Sequence, residues 1–247
     1  MNINPVSINT NQNKSFGHLN PWSDSTYNNR EKVIVAGTTA LGVATALCGL
    51  AKHAGYSLKP SKMLKNFKKS YIYKAPYDEP EVITIGAGSC LGGLVGGYLI
   101  DQNKENRKAK LRETLLQIAN ISVPIIFVGR LAAGGKYLGK KFLEKNPASE
   151  TARTKIPKAI GAMIGLFTGV FCANILANKI NEKIYHKGKG RDVQASDFSA
   201  HLDDFCMAAR QINEKNPIIH GFSMCVPLAL MIAGNEVGNT TIYNESN

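Results

Sequence analysis

Acidic residues are scarce in this chain: 18 Asp and Glu stand against 30 Lys and Arg, which gives a formal charge of +12 over 247 residues. Such an excess is compatible with binding to nucleic acid or to an anionic lipid surface. The sequence has no zinc-finger spacing, no ribonucleoprotein-type aromatic motif and no Gly-X-X-Gly loop in a suitable context. Its basic residues fall in blocks between apolar runs, so nucleic acid is not an expected partner.

Sequence signatures of catalysis and of metal binding are also missing. The five cysteines are an odd number without a C-x-x-C pair, and four lie inside apolar runs, which argues against a disulfide framework or a zinc site. There is no Walker-type phosphate loop, no G-x-S-x-G elbow and no H-E-x-x-H motif. We therefore predict a non-enzymatic protein without cofactor, and we single out no catalytic or metal-binding residue.

One segment has a spacing that could supply metal ligands. Residues 196–215 read as an amphipathic helix in which Asp197, His201 and Asp204 lie at i, i+4 and i+7. Acidic residues in a first helical turn also favour the helix dipole, and a histidine beside them forms an ordinary surface pair. We prefer this structural interpretation, and leave any further role of the three residues open.

The first 32 residues are rich in Asn and Ser and poor in aliphatic side chains. They cannot bury enough apolar surface to offset the entropy of ordering, so a disordered tail is predicted. A polar tail ahead of the first apolar run differs from the layout of a cleavable signal peptide, and none is expected. A second polar tail is predicted over 236–247.

Four runs with almost no charge follow the tail, each near the ~20 residues that a helix needs to cross ~30 Å of hydrocarbon. They predict an all-α, helical multi-span membrane protein, with a soluble protein of buried helices as the alternative. The slightly negative mean hydropathy, −0.14, reflects the polar tail and the Lys-rich connectors. A fifth apolar helix over 216–235 is a weaker candidate span because it contains His220 and Pro227. A basic linker and the amphipathic helix fill 179–215. The four spans lie near 33–51, 82–100, 114–135 and 159–178.

Glycine is concentrated in two of these runs, at a spacing of four residues. Each glycine in a water-soluble helix costs about 1 kcal/mol relative to alanine. In a bilayer the missing side chain instead allows two helices to approach closely. The pattern therefore predicts glycine-zipper packing through three stripes: Gly88, Gly92 and Gly96; Gly93 and Gly97; and Gly161, Gly165 and Gly169.

The runs are arranged as two hairpins, 33–100 and 114–178, whose second helices carry the glycines. Those two helices would point the same way through the membrane, so we expect them to pair in parallel within one chain. The same stripes would also serve a homo-oligomer. Residue matching between the hairpins goes little beyond the glycines, so the sequence gives little support for an internal duplication.

The connector at 57–74 predicts a helix lying in the membrane interface. Its apolar side chains share one helical face, and its basic residues lie elsewhere on the helix. Basic residues close to an anionic leaflet gain about 1 kcal/mol each, so anionic lipid is the expected partner, with a merely solvated basic loop as the alternative. The connectors on the two sides are about equally basic and leave the orientation open. The lysines assigned to the lipid surface are Lys62, Lys65, Lys68 and Lys69.

Two functions from different classes fit this architecture. The first is a membrane-organising or assembly protein that acts through glycine-mediated packing. The second is a small transporter or channel component with a pathway between the hairpins. A transport pathway usually contains intramembrane carboxylates or paired charges, and the apolar runs contain none. Convergence of the polar residues of the runs on one axis would favour transport, and scatter would favour packing; they are Thr38, Thr39, Thr45, Asn120, Ser122 and Asn174.

Overall fold

The computed structural model describes residues 27–58, 70–75, 77–143, 151–185, 221 and 224–241. Within these ranges the regular structure is entirely helical. The elements are α1 (Asn29–His53), α2 (Tyr71–Lys74), α3 (Glu79–Ile100), α4 (Lys104–Leu143), a π-helical turn (Thr151–Lys155), α5 (Ile156–Tyr185) and α6 (Val226–Asn239). Four of them, α1, α3, α4 and α5, are long and apolar enough to cross a membrane. The predicted all-α multi-span architecture is confirmed.

Helix α1 begins inside the segment that was predicted to be a disordered tail. The Asn28 side chain accepts a hydrogen bond from the Glu31 amide, and the Glu31 carboxylate accepts one from the Asn28 amide. This reciprocal capping box satisfies backbone donors that a bare helix end would leave unpaired. Helix α1 therefore begins four residues before the first apolar run.

The long helices form two antiparallel hairpins, α1 with α3 and α4 with α5. In the first, Gly42 lies level with Gly88. In the second, Gly165 lies level with Phe127. These registers align the apolar runs within each hairpin. We call the end of the bundle where α1 begins the proximal end and the end where α1 finishes the distal end.

The two hairpins join through α3 and α4, and their apolar runs are not at the same height. Gly86 of α3 packs against Ile121 of α4, and the Tyr98 hydroxyl donates to the Arg107 carbonyl. This antiparallel register sets the α3 run beside 107–125, whereas the apolar run of α4 is 114–135. At 1.5 Å per residue, the α4/α5 hairpin is displaced toward the distal end by about 13 Å. We refer to this displacement as the stagger.

Helix α6 packs parallel to α3, on the side of α3 that α1 leaves open. Gly234 contacts Gly93, and the Ser89 hydroxyl donates to the Leu230 carbonyl at 2.7 Å. With 14 residues, α6 is about 21 Å long. This length is below the ~30 Å of hydrocarbon, so α6 on its own does not provide the proposed fifth span. Its last turn also occupies residues that were assigned to the C-terminal polar tail.

Large apolar side chains cover much of the outer surface of the four long helices. Leu41 on α1 is 67% exposed, and Leu91 on α3 and Phe171 on α5 are also exposed. Inside, one apolar cluster joins α1, α3, α4 and α6, and a smaller one joins α4 and α5. Apolar side chains on both the inside and the outside are what a lipid solvent permits.

Candidate functional site

The stripe of Gly88, Gly92 and Gly96 on α3 faces α1. A Cβ at Gly92 would lie 2.4 Å from the Thr38 carbonyl oxygen, and one at Gly96 would lie 2.1 Å from the Thr38 hydroxyl. At Gly88 it would lie 2.8 Å from the Gly42 carbonyl oxygen. Any larger residue would collide with the α1 backbone, so the absence of side chains sets the distance between the two helices.

The second stripe on α3, Gly93 and Gly97, faces α6. A Cβ at Gly93 would lie 1.7 Å from the Gly234 carbonyl oxygen, and one at Gly97 would lie 2.8 Å from the Gly238 carbonyl oxygen. Glycine therefore meets glycine at two successive turns, and the α3 and α6 backbones touch there.

The stripe on α5 faces α4. A Cβ at Gly161 would lie 2.1 Å from the Leu131 carbonyl oxygen, and one at Gly165 would lie 2.5 Å from that of Phe127. Gly169 packs against Pro124, which lies inside α4. The stripe thus accommodates a proline in the middle of the neighbouring helix.

These placements correct the expected parallel pairing of the two glycine-rich helices. The stripes of α3 are covered by α1 and α6, and the stripe of α5 is covered by α4. Each glycine-rich helix already packs against neighbours in its own chain. Helices α1, α4 and α6 thus cover the glycine stripes that we expected to serve a homo-oligomer.

A fully buried lysine ties three helix ends together at the proximal end. Lys110 on α4 is 0% exposed, and its ammonium group donates to the Gly238 carbonyl at 2.9 Å and also to the Thr240 carbonyl. It further donates to the Tyr27 hydroxyl at 3.0 Å and lies 3.7 Å from an oxygen of Asp101. An ammonium at the C-terminus of a helix satisfies its last carbonyls and opposes its dipole. We call this group the proximal clamp.

Asp101 and Tyr27 complete the proximal clamp, and the tyrosine hydroxyl donates to the carboxylate. Burial opposes ionisation of Asp101, but hydrogen bonds from Tyr27 and the Asn103 amide, together with Lys110, hold the pKa of this carboxyl below its usual value. Burial and the bond to Asp101 raise the pKa of Tyr27. The clamp is therefore built for an ionised Asp101 and a neutral Tyr27.

A second polar group lies one to two turns deeper, between α4 and α6. The Gln117 amide nitrogen donates to Glu113 at 2.9 Å and to Glu236 at 2.9 Å. Gln117 is buried, and both carboxyl groups are partly covered. By the register of α4 against α3, this Glu–Gln–Glu cluster lies beside the apolar run of α3, and Glu113 directly precedes the apolar run of α4. The apolar runs themselves contain no carboxylate, and the cluster is formed by two glutamates that directly flank them.

Sequence reasoning missed both polar groups because it assigned 104–112 to a connector and began the α4 span at 114. One signal was available: Glu113 and Gln117 are separated by four residues and so share a helix face. Glu236 follows the last predicted apolar run directly, and nothing in the sequence places it next to α4.

Three of the six polar residues named as a test of a transport pathway form hydrogen bonds within their own helices. Thr38 donates to its own helix at Ile34 and Val35, and Thr45 donates to Leu41 on the exposed side of α1. Asn174 accepts a hydrogen bond from Asn178 along α5. Thr38, Thr45 and Asn174 thus satisfy their polar groups locally.

The remaining site predictions fall on residues that the structure does not describe. These are the lipid-surface lysines Lys62, Lys65, Lys68 and Lys69, together with Asp197, His201 and Asp204. Among the described residues, no group of three or more His, Cys, Asp or Glu could hold a metal ion. Comparison with known proteins found no matching family model, no matching curated protein and no matching solved structure.

Proposed function

We propose that this protein is a non-enzymatic membrane protein that organises or shapes the bilayer around it. The observation that carries the proposal is the stagger: two hairpins, each with aligned apolar runs, are fixed to one another about 13 Å out of height. A bilayer of uniform thickness cannot cover both runs of an upright molecule at once.

Three responses reduce this mismatch: the molecule tilts, the bilayer bends, or the bilayer thins locally. Each costs a fraction of a kcal/mol per Å of mismatch. The contact of Gly86 with Ile121 and the proximal clamp hold the hairpins in register, so the strain is passed to the lipid. Glycine packing supports the proposal because it removes the clearance by which the helices could slide.

The test is reconstitution of the full chain into phosphatidylcholine vesicles at increasing protein-to-lipid ratios. We expect cryo-electron microscopy to show vesicles of smaller radius, or tubules, and a locally thinner bilayer. Unchanged vesicle shape and thickness at every ratio would refute the proposal.

A matched pair of variants ties the effect to the stagger. Gly86→Leu places a side chain against Ile121 and Leu230, where a Cβ alone would lie 3.0 Å from Ile121, and should loosen the join between the hairpins. Gly37→Leu adds the same side chain to α1 where nothing lies within 4 Å. Bilayer shaping should weaken in the first variant and persist in the second.

The Glu–Gln–Glu cluster favours a second candidate function, transport of a proton or small cation. Ionisable groups inside a membrane domain are costly and often mark ion pathways. The cluster lies between α4 and α6, beside the join of the two hairpins where a pathway was expected. Ion-gradient-driven flux in proteoliposomes that is lost on Glu236→Gln would establish this function. Equal flux in empty and protein-containing vesicles would exclude it.

A further inference from the structure

Basic side chains collect at the distal end of the α4/α5 hairpin. Because Gly135 packs against Pro157 and Gly139 against Arg153, the last turns of α4 lie beside the first turns of α5. This pairing gathers five basic residues within about two helical turns. We call them the distal basic band: Lys136, Lys140, Lys141, Arg153 and Lys155.

The band carries charge of one sign. From 130 to 158 the sequence has eight basic residues and two acidic ones, and both acids lie in the connector 144–150, outside the described residues. The proximal end differs, since Lys108 pairs with Glu105 at 2.8 Å and Lys110 with Asp101. Two lysines at the proximal end thus have acidic partners on the described residues, whereas the distal basic band contains no acidic residue.

Exposed apolar side chains lie in the same turns as the distal basic band. Tyr137 is 64% exposed and Phe142 is 74% exposed, with Leu138 and Ile156 also turned outward. Aromatic and aliphatic side chains between lysines are typical of the membrane interface, where rings sit at headgroup level and basic stems reach outward.

The height of the band matches the headgroup layer. The apolar run of α4 ends at 135, so residues 136–141 occupy the first ~10 Å beyond the hydrocarbon. Headgroups extend about 5–8 Å beyond each face of the hydrocarbon. Ammonium groups at this depth meet lipid phosphates before they meet bulk water.

We propose that the distal basic band binds anionic phospholipid headgroups and so enriches acidic lipid around the distal end of the α4/α5 hairpin. The proposal rests on the proposed function, because it names the lipid class gathered by the protein that shapes the bilayer. Charge complementarity selects the partner: five cations meet phosphate groups that bear net charge only in acidic lipids. The ligand we propose is phospholipid of the bilayer that the protein itself spans.

A single tryptophan in the band can report which lipid surrounds it. The chain has one tryptophan, so Trp22→Phe combined with Tyr137→Trp leaves one indole at an exposed position. The full chain is reconstituted in two kinds of phosphatidylcholine vesicle. One contains a small fraction of brominated phosphatidylglycerol, and the other contains the same fraction of brominated phosphatidylcholine. At low salt we expect the anionic lipid to quench the indole at least about fivefold more effectively. This ratio corresponds to the ~1 kcal/mol that one basic residue gains near an anionic surface.

Two charge variants provide the control. Lys136, Lys140, Lys141 and Lys155→Gln should reduce the preference to near equality. Lys104, Lys108, Lys179 and Lys183→Gln, four exposed lysines at the proximal end, should leave it unchanged. Salt at ~0.5 M should also abolish the preference, because the screening length then falls to a few Å.

Equal quenching by the two lipids in the parent chain would overturn the proposal, as would a preference that survives the distal variant. If the distal variant fails to insert, the salt titration of the parent chain tests the proposal instead. A preference for the anionic lipid that does not change with salt would contradict it. Failure here is distinguishable from failure of bilayer shaping, which is measured in vesicles that contain only phosphatidylcholine.

Discussion

Among single residues, Lys110 should contribute most to stability, because its one ammonium nitrogen makes every contact of the lysine in the proximal clamp. Lys110→Met removes the donor for the last turn of α6 and leaves the buried Asp101 carboxylate without its cationic neighbour. Breaking a buried pair from one side costs about 3–5 kcal/mol. We expect a clear drop in the thermal midpoint in detergent and faster hydrogen exchange at the end of α6.

Lys108→Met is the matched control because it removes a lysine two residues away on the same helix. Its pair with Glu105 is exposed on both sides, at 69% and 62%. Exposed pairs contribute below about 1 kcal/mol. A Lys108→Met variant as unstable as Lys110→Met would show that charge on α4, rather than the proximal clamp, is what matters.

The proximal clamp should also give the protein a defined pH range of stability. The depressed pKa of Asp101 stabilises the fold above the ordinary aspartate value of 3.8, and this contribution is lost as the pH falls through the lower folded value. The raised pKa of Tyr27 stabilises the fold below the ordinary tyrosine value of 10.0, and this contribution is lost as the pH rises through the higher folded value.

Thermal midpoints of the parent and of Asp101→Asn, compared across pH in detergent, check this range. Other groups titrate in both proteins, so the difference between them isolates the clamp. We expect the difference to be largest from about pH 4 to pH 10 and to shrink on the acid side. A constant difference at all pH values would argue against an ionised Asp101.

Among the elements, the contact of α3 with α6 should be the least tolerant of added volume. Gly93→Ala would place a methyl group 1.7 Å from the Gly234 carbonyl oxygen, and backbone atoms cannot move aside as a side chain can. Overpacking of this kind costs about 1–3 kcal/mol. Gly37→Ala on α1 meets nothing within 4 Å and should leave the thermal midpoint unchanged or slightly raised.

The helices themselves could be predicted from the sequence because an uncharged run of spanning length has few alternatives. The runs at 33–51 and 82–100 correspond to α1 and α3 within a few residues. The length of α4 was underestimated, since the charged residues that flank its apolar run continue the helix to 40 residues. Charge marks where a span ends in lipid, and a helix does not have to end there.

The partners of the glycines and the polar groups between helices could not be predicted. Spacing by four shows that Gly88, Gly92 and Gly96 form a stripe, but it does not show which helix covers them. Glu113 and Glu236 are far apart in the chain and meet only because α6 packs on α3 beside α4. Such contacts depend on tertiary register, which a single sequence does not encode in a readable pattern.

For the whole molecule, the stagger predicts how deep each hairpin lies in the bilayer. The helix registers place Leu41 level with Ile175, yet Leu41 is near the centre of its apolar run and Ile175 is near the end of its own. We expect spin labels at Leu41 and Phe167, in a cysteine-free chain, to report similar depths by electron paramagnetic resonance with oxygen and nickel relaxants. Labels at Leu41 and Ile175 at the same depth would mean that the molecule stands upright in an undeformed bilayer.

The parallel packing of α6 on α3 decides at which end of the bundle the two described termini lie. Helix α5 finishes at the proximal end, whereas α6 starts about 22 Å away, toward the distal end, and runs back. Tyr185 and Val226 therefore lie at different heights along the bundle. As a result, Tyr27 and Thr240 meet at one end through Lys110, and both described termini open on the same side of the membrane.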